Sequence, residues 1–291
     1  MFSAQDVKSL REKTGAGMLD CKKALEASNG NMEDAISWLR EKGISKAQKK
    51  AERIAAEGLS LALESDNVAV VAEVNCETDF VARNEEFKTL VASIVKALIN
   101  NDVKSMDEAN AVVLDDNTTV ADAIVAFTAK IGEKISFRRF EKVEKTSSDS
   151  FGIYSHMGGR ITSLVTLNGG SQEIAKDVAM HVAAMNPLYL DSTSVDKETL
   201  EKERAIYKEQ AINEGKPVEI AEKMVEGRVK KYYKEVCLVE QPFIKDSNLS
   251  VGQYAANNNA VVVNMVRYEV GEGLEKRSDN FAEEVQNQIN G

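Results

Sequence analysis

Three short segments at the start of the chain show apolar residues at helical spacing. The first begins at Ser3, where a capping box with Asp6 is expected, and the Gly15-Ala16-Gly17 run interrupts it. The Asn29-Gly30 pair ends the second segment, because glycine tolerates a left-handed cap. We expect Gly43 to end the third. The pattern therefore predicts a small bundle of three helices with a thin core.

The pattern changes to strands and longer helices over residues 58–143. Two apolar, β-branched runs, 58–63 and 68–74, flank the turn signal Ser65-Asp66-Asn67, which predicts a β-hairpin. Two helical patterns follow, and Thr119 is placed to cap the second of them. A short alternating stretch after this helix predicts one more strand.

Residues 151–190 look like a second copy of the first half of that unit. An apolar strand over 161–167 follows the turn residues Gly158-Gly159, and an apolar helix comes next. With an offset of 87 residues, Phe87 of the first helix aligns with Ile174 of the second. Such a duplication predicts two antiparallel sheets with helices on one face, which is the α+β class.

The stretch 196–235 is highly charged and carries two helical patterns joined by Gly215-Lys216-Pro217. A single apolar seam on the second helix predicts a projecting antiparallel helical hairpin, a coiled coil. A strand over 261–270 and a short last helix over 278–288 are expected after it. The predicted divisions are a three-helix module (1–44), a basic, alanine-rich helical linker (45–57), a core N-subdomain (58–143), a core C-subdomain (151–195 and 236–272), the helical hairpin (196–235) and a C-terminal module (273–291).

Charge and hydropathy narrow the class of protein. The formal net charge is −10, which disfavours extended binding to nucleic acid and could favour a basic protein partner. The segment from Lys46 to Arg53 is the only stretch of the sequence whose basic residues suggest an RNA-binding face, which leaves an RNA-binding protein as a rival class. No apolar run approaches the roughly 20 residues that a membrane helix needs, and no secretion signal is recognisable. We expect a cytoplasmic protein.

Cysteine and histidine positions give no pattern typical of catalysis or metal binding. Cys21, Cys76 and Cys237 are widely separated, and we expect three reduced, mostly buried thiols and no metal or cofactor. His181 lies on the apolar stripe of a helix, where a core histidine is expected. His156 lies in a turn, where a contact role is more plausible. A thiol enzyme stays open as a rival class, since catalytic partners can be remote in sequence.

The segment from Asn75 to Asn84 follows a strand of the buried type and permits two interpretations. In the structural one, it is an ordinary connection between a strand and a helix, with Phe80 packed inward. In the functional one, Thr78 caps a short helical turn, and Asp79 and Phe80 are exposed on a loop where they enter a partner.

Several stretches together resemble the elongation factor Ts family, in the family's order and over essentially the whole chain. They are Thr14-Gly15-Ala16-Gly17-Met18-Leu19-Asp20-Cys21-Lys22-Lys23-Ala24-Leu25, Thr78-Asp79-Phe80-Val81, Ala179-Met180-His181-Val182-Ala183-Ala184, Gly215-Lys216-Pro217 with Ile220-Ala221-Glu222-Lys223-Met224-Val225-Glu226-Gly227-Arg228, and Val270-Gly271-Glu272-Gly273-Leu274-Glu275-Lys276.

The resemblance implies a guanine nucleotide exchange factor, not an enzyme, that promotes GDP release from elongation factor Tu by disturbing its magnesium and phosphate site. It also implies that the N-terminal module is similar to ubiquitin-associated (UBA) domains. The family's intrusion motif matches Thr78, Asp79, Phe80 and Val81. Supporting partner contacts match Met18, Leu19, Lys22, Ile131, Gly132 and His156, and the helical hairpin and the last helix match family modules.

Two departures from the family pattern are modest. Leu19 stands where many members have a second methionine, and Glu77 stands where glutamine is common before the motif. The extra charge at Glu77 affects the binding energetics near the phosphate site of the partner, and it does not change the role expected of the motif. The sequence leaves the oligomeric state open, including a homodimer or a dimer of heterodimers.

Overall fold

The computed structural model describes residues 2–275, and these form the predicted α+β fold with N-terminal helices and antiparallel sheets. The helices are α1 (Ala4–Thr14), α2 (Met18–Ala27), α3 (Met32–Gln48), α4 (Asp79–Arg83), α5 (Glu85–Asn100), α6 (Met106–Ala111), α7 (Val120–Ile131), α8 (Gln172–Met185), α9 (Lys197–Asn213), α10 (Val218–Val236) and α11 (Val251–Asn257), with a 3₁₀ turn at Leu238–Glu240. The strands are β1 (Glu57–Ser65), β2 (Val68–Cys76), β3 (Ser136–Glu144), β4 (Asp149–His156), β5 (Ile161–Gly169), β6 (Pro242–Phe243), β7 (Asp246–Ser250) and β8 (Ala260–Glu269). The predicted last helix, 278–288, lies outside the described residues.

Contacts between residues divide the chain into two compact units. Within the described residues, the first comprises 2–61, 72–140 and 269–275, and the second comprises 62–71 and 141–268. Helices α1 to α3 belong to the first unit and pack around a small core of their own. This core consists of Val7, Leu10, Cys21, Ala24, Leu25 and Ala35.

Local signals define the ends of the N-terminal helices as the sequence predicts. The Ser3 side chain accepts a hydrogen bond from the Asp6 amide, and the Asp6 carboxylate accepts one from the Ser3 amide at 2.7 Å. These reciprocal bonds form the expected capping box. Gly15 ends α1 with φ of +66°, a backbone conformation that favours glycine.

The prediction that Gly43 ends the third helix is wrong, because α3 continues to Gln48. Gly43 is buried within α3, and a Cβ atom there would lie 3.5 Å from the Cβ of Ala129 on α7. Arg40 on the same helix pairs with Asp122 of α7 at 2.6 Å. These contacts with α7 outweigh the roughly 1 kcal/mol by which glycine disfavours a helix interior. Residues 45–48 of the predicted linker are therefore part of α3.

The repeated pattern of strand, turn, strand and helix is confirmed. The first sheet has the order β1-β2-β3 and the second has the order β4-β5-β8, so the second strand of each hairpin is central. Strands β4 and β5 pair antiparallel from Asp149 opposite Asn168 to His156 opposite Ile161. Helix α5 follows the first hairpin, and α8 follows the second.

The two copies differ in the connection from the second strand to the helix. Residues 77–84, eight in number, join β2 to α5, whereas residues 170 and 171 alone join β5 to α8. The first connection is therefore six residues longer, and it contains α4. Since the second copy packs its helix without such residues, the architecture itself does not require them.

Helices α9 and α10 form the predicted antiparallel hairpin. Gly215, with φ of +79°, lies in the turn between them, and Pro217 directly precedes α10. The buried seam of α10 consists of Ala221, Val225 and Val229. Ion pairs join the two helices at the surface: Arg204 with Glu226, Lys208 with Glu222 and Arg228 with Glu214.

His181 is a core histidine, as predicted, and its hydrogen bonds define its tautomer. The side chain is fully buried in the second unit. The amide of Ile244 donates to Nδ1 at 3.1 Å, so this nitrogen carries no proton. Nε2 therefore carries the proton and donates to Oε1 of Gln241 at 2.9 Å. Burial lowers the pKa of His181, against a smaller opposing effect of the Gln241 hydrogen bond.

The second unit is expected to lose stability as the pH falls below about 6.5. Because the native pKa of His181 is lowered, the unfolded chain binds more protons in this range, and acidification favours unfolding. We expect a loss of at most about 1.4 kcal/mol in the free energy of unfolding between pH 7.5 and pH 5.5, the limit for one histidine with an unfolded pKa of about 6.5. Urea denaturation at both pH values measures it. His181→Gln should flatten the dependence, whereas His156→Gln, at an exposed position, should keep it.

Candidate functional site

Two successive N-caps define the segment that carries the candidate motif. Thr78 caps α4, and its Oγ1 accepts a hydrogen bond from the amide of Val81 at 3.4 Å. Asn84 then caps α5, and its Oδ1 accepts from the amide of Glu86 at 2.8 Å. Both caps use side chains that can satisfy helix N–H groups, which confirms the predicted cap at Thr78. The result is a five-residue helix with a defined start and end.

The side chains of α4 divide into one buried anchor and an exposed tip. Val81 is 8% exposed, whereas the ring of Phe80 is 82% exposed. Asp79 is partly exposed and pairs with Arg83 at 2.9 Å, one turn later on the same helix. The interpretation in which Phe80 packs inward is therefore wrong. An aromatic ring of this exposure has a large apolar surface available to a partner.

Glu133 fixes the start of this segment, and sequence reasoning missed it. Oε2 of Glu133 accepts hydrogen bonds from the amides of Glu77 at 3.1 Å and Thr78 at 3.0 Å. Oε1 accepts from the hydroxyl of Thr78 at 2.7 Å. No local pattern identifies this residue, because its partners precede it by 55 and 56 residues.

Glu77 makes a second contact between the same two segments, in which its own carboxylate is the acceptor and the turn at 132–134 supplies the donor. Its carboxylate accepts from the amide of Lys134 at 2.5 Å and pairs with Arg53 at 3.3 Å. The side chain is only 11% exposed, so its charge is directed at these groups and not at solvent. We call the contacts of Glu77 and Thr78 with Glu133 and Lys134 the carboxylate clamp.

The clamp connects the motif to the turn that carries two other candidate residues. Ile131 is the last residue of α7, and Gly132 follows it with φ of +83°. Glu133 comes directly after them. The structure therefore brings the Ile131-Gly132 turn and the Thr78–Val81 segment together within the first unit.

The remaining candidates lie on exposed surfaces of their own units. Met18 and Leu19, in the first turn of α2, are 51% and 73% exposed. Lys22, one turn later, makes a solvent-exposed ion pair with Glu26 at 3.8 Å. His156 ends β4 in the second unit, is exposed, and has its ring stacked against that of Tyr154.

The environments of the thiols do not favour nucleophilic chemistry. Cys21, Cys76 and Cys237 are all free and buried, as expected. Burial raises the pKa of Cys21, and it raises the pKa of Cys76 and of Cys237 to about 12. A reactive cysteine needs a thiolate, so these groups are protonated and unreactive near neutral pH. Among residues 2–275, no cluster of three or more histidine, cysteine or acidic side chains could hold a metal ion.

Comparison with known proteins identifies a family to which most of the chain is similar. A family model described as "Elongation factor TS" matches residues 77–272. The match begins at the carboxylate clamp, includes the motif and extends through β8. No helix within residues 2–275 has the length and apolar character needed to cross a membrane.

Proposed function

The chain belongs to the elongation factor Ts family of translation elongation factors, and from this premise we propose that it promotes release of GDP from elongation factor Tu. In this proposal it binds the GDP form, disturbs the magnesium and phosphate site, and allows GTP to bind in turn. The observation that carries the proposal is Phe80, an exposed aromatic ring on a helix whose start is held by the carboxylate clamp.

The physical requirement for such a factor is differential affinity. It must bind the nucleotide-free GTPase more tightly than the nucleotide-bound form, because a factor with equal affinity for both would shift nothing. This coupling is reciprocal, so nucleotide must also weaken binding of the factor. No covalent step is needed, and the protein would act without a cofactor and not as an enzyme.

Phe80 and Asp79 would have different parts in this exchange. Phe80 would enter between the elements of the GTPase that position magnesium, and burial of its ring would stabilise the opened arrangement. Asp79 would bring negative charge close to the phosphates or to the water ligands of magnesium. Its ion pair with Arg83 is exposed, and a new partner could therefore replace it at little cost. Thr78 and Val81 would hold these two side chains in place.

The supporting contacts would come from both units. Met18, Leu19 and Lys22 would bind the nucleotide-binding domain of the partner through the UBA-like helical module. The other proposed contacts are Ile131, Gly132 and His156. We propose a cytoplasmic protein that binds no nucleic acid directly and that acts as a monomer, a homodimer or a dimer of heterodimers with elongation factor Tu.

Release of a fluorescent GDP analogue from purified elongation factor Tu tests the proposal. We expect substoichiometric amounts of this protein to accelerate release in the presence of excess GDP, because each molecule acts repeatedly. The double variant Asp79→Ala with Phe80→Ala should lose the acceleration. If the folded wild-type protein leaves release unchanged with its cognate partner, the proposal is wrong, and salt-dependent binding to RNA should then be measured.

A further inference from the structure

We propose that Glu133 is a positioning residue for nucleotide exchange, which acts by holding the Thr78–Val81 segment at a fixed distance from the Ile131-Gly132 turn. This inference rests on the proposed function and deepens it. It is carried by the carboxylate clamp, in which both oxygens of Glu133 accept hydrogen bonds from Glu77 and Thr78, the two residues directly before α4.

Few contacts other than the clamp hold this segment: Glu77 pairs with Arg53, and the Cys76 thiol donates to the carbonyl oxygen of Thr78 at 3.1 Å. Helix α4 has five residues, and a helix of this length is not stable by itself. Only Val81 of this helix is buried. The six extra residues of this connection have no counterpart before α8, so the shared architecture of the two copies supplies no support for them.

The chemistry of the clamp suits a rigid connection. A carboxylate that accepts two backbone N–H groups and one hydroxyl makes charge-assisted hydrogen bonds, which are stronger than bonds between neutral groups. Glu77 binds the Lys134 amide in the opposite direction, so the two loops are connected at two points. Loss of Glu133 would leave Thr78 with its capping bond to Val81 but without this connection.

The variant Glu133→Ala should lower kcat/KM for GDP release by about tenfold or more, because each backbone residue that must be ordered on binding weakens association by roughly 5- to 30-fold. Glu133→Gln should retain much of the activity, since its carbonyl oxygen can still accept both amides and the Thr78 hydroxyl can accept from its NH₂ group. Recovery by this conservative variant is expected for a positioning role.

Asp191 provides a matched control in the second unit. Its Oδ1 accepts from the amides and the hydroxyls of Thr193 and Ser194, so backbone N–H and hydroxyl groups are the donors, as they are at Glu133. Asp191→Ala removes an equivalent carboxylate away from the motif, and we expect less than a twofold change in exchange. A loss equal to that of Glu133→Ala would indicate a general effect on folding and would overturn the proposal.

A double-mutant cycle separates positioning from direct contact. If Glu133 acts through Phe80, then Glu133→Ala should change exchange less than about twofold in a Phe80→Ala background. Independent, multiplicative losses would overturn the proposal. Hydrogen exchange of the isolated protein gives a second readout: the amides of Glu77 and Thr78 should exchange faster in Glu133→Ala, while those of Val70 and Val71 in β2 stay protected. Unchanged protection of Glu77 and Thr78 would overturn it as well.

The Phe80→Ala and Glu133→Ala variants distinguish a wrong function of the motif from a wrong role of Glu133. If Phe80→Ala leaves exchange unaltered, the proposed function of the motif is wrong whatever Glu133 does. If Phe80→Ala abolishes the acceleration and Glu133→Ala does not lower it, the function stands and the positioning role is wrong.

Discussion

Replacing Phe80 with alanine is expected to slow accelerated GDP release by about 30-fold or more. A buried aromatic anchor at an interface contributes about 2–4 kcal/mol, and each 1.4 kcal/mol changes a rate about tenfold. In the free protein the ring is 82% exposed, so its removal takes away few internal contacts. We expect the free energy of unfolding to change by less than about 0.5 kcal/mol.

The measurement is release of the fluorescent GDP analogue over a range of factor concentrations, together with urea denaturation of each variant. Val113→Ala is a suitable control, because Val113 is also an exposed apolar residue of the first unit, 55% exposed, and lies outside the motif. It should leave both quantities near those of the wild type. Should Phe80→Ala destabilise the protein strongly, the ring would be a structural element and its role as a wedge would be wrong.

Replacing Glu73 with glutamine is expected to destabilise the first unit by about 3–5 kcal/mol. The Glu73 carboxylate is fully buried on β2, between Arg138 at 3.0 Å and Arg139 at 2.6 Å. It also accepts from the amide of Gly271 at 2.9 Å and from the side chain of Asn75 at 3.0 Å. Glutamine has nearly the same shape, but it removes the charge that both guanidinium groups face.

The pKa of Glu73 gives this prediction a pH dependence. Burial alone raises the pKa, but hydrogen bonds from Gly271, Arg139, Asn75 and Arg138 more than offset burial, so the pKa lies below its usual value of 4.5. For an acid with a lowered native pKa, the stabilisation is present above the unfolded pKa and is lost as the pH falls through the native one. The wild type should therefore lose this contribution below about pH 4.5, and Glu73→Gln should not.

Urea denaturation at neutral pH tests the size of the effect. Glu226→Gln is the control, because Glu226 makes an exposed ion pair with Arg204 and such pairs contribute at most about 1 kcal/mol. If both variants lower the free energy of unfolding by the same small amount, burial of the Glu73 ion pair does not make it more stabilising than an exposed one. Glu73→Gln should also not alter exchange at temperatures where the variant is fully folded.

Much of the fold follows from signals that are local in sequence. The Ser65-Asp66-Asn67 turn, the cap at Thr119 and the Gly215-Lys216-Pro217 turn each determine a boundary within a few residues. His181 is recognisable as a core residue because its helix carries a regular apolar stripe. In these cases the local conformational preference agrees with the tertiary structure.

The features that sequence reasoning missed depend on remote partners. Glycine often ends a helix, but Gly43 lies within α3 because it packs against α7, which comes more than 75 residues later in the sequence. Glu133 and Glu73 are single acidic residues without a periodic pattern around them. Their partners lie 55 or more residues away in most cases, so only the folded chain identifies them. The motif at Thr78–Val81 was recognisable, but the clamp that holds it was not.

The position of Gly271 has a consequence for the time course of biosynthesis. Its amide donates to the carboxylate of Glu73, which the ribosome adds to the chain 198 residues before Gly271. At about 5–20 residues per second, the ribosome needs roughly 10–40 seconds to add this stretch. The two arginines emerge after about a third of that delay. Nearly the entire second unit is therefore synthesised before the Glu73 carboxylate of the first unit can form all of its hydrogen bonds.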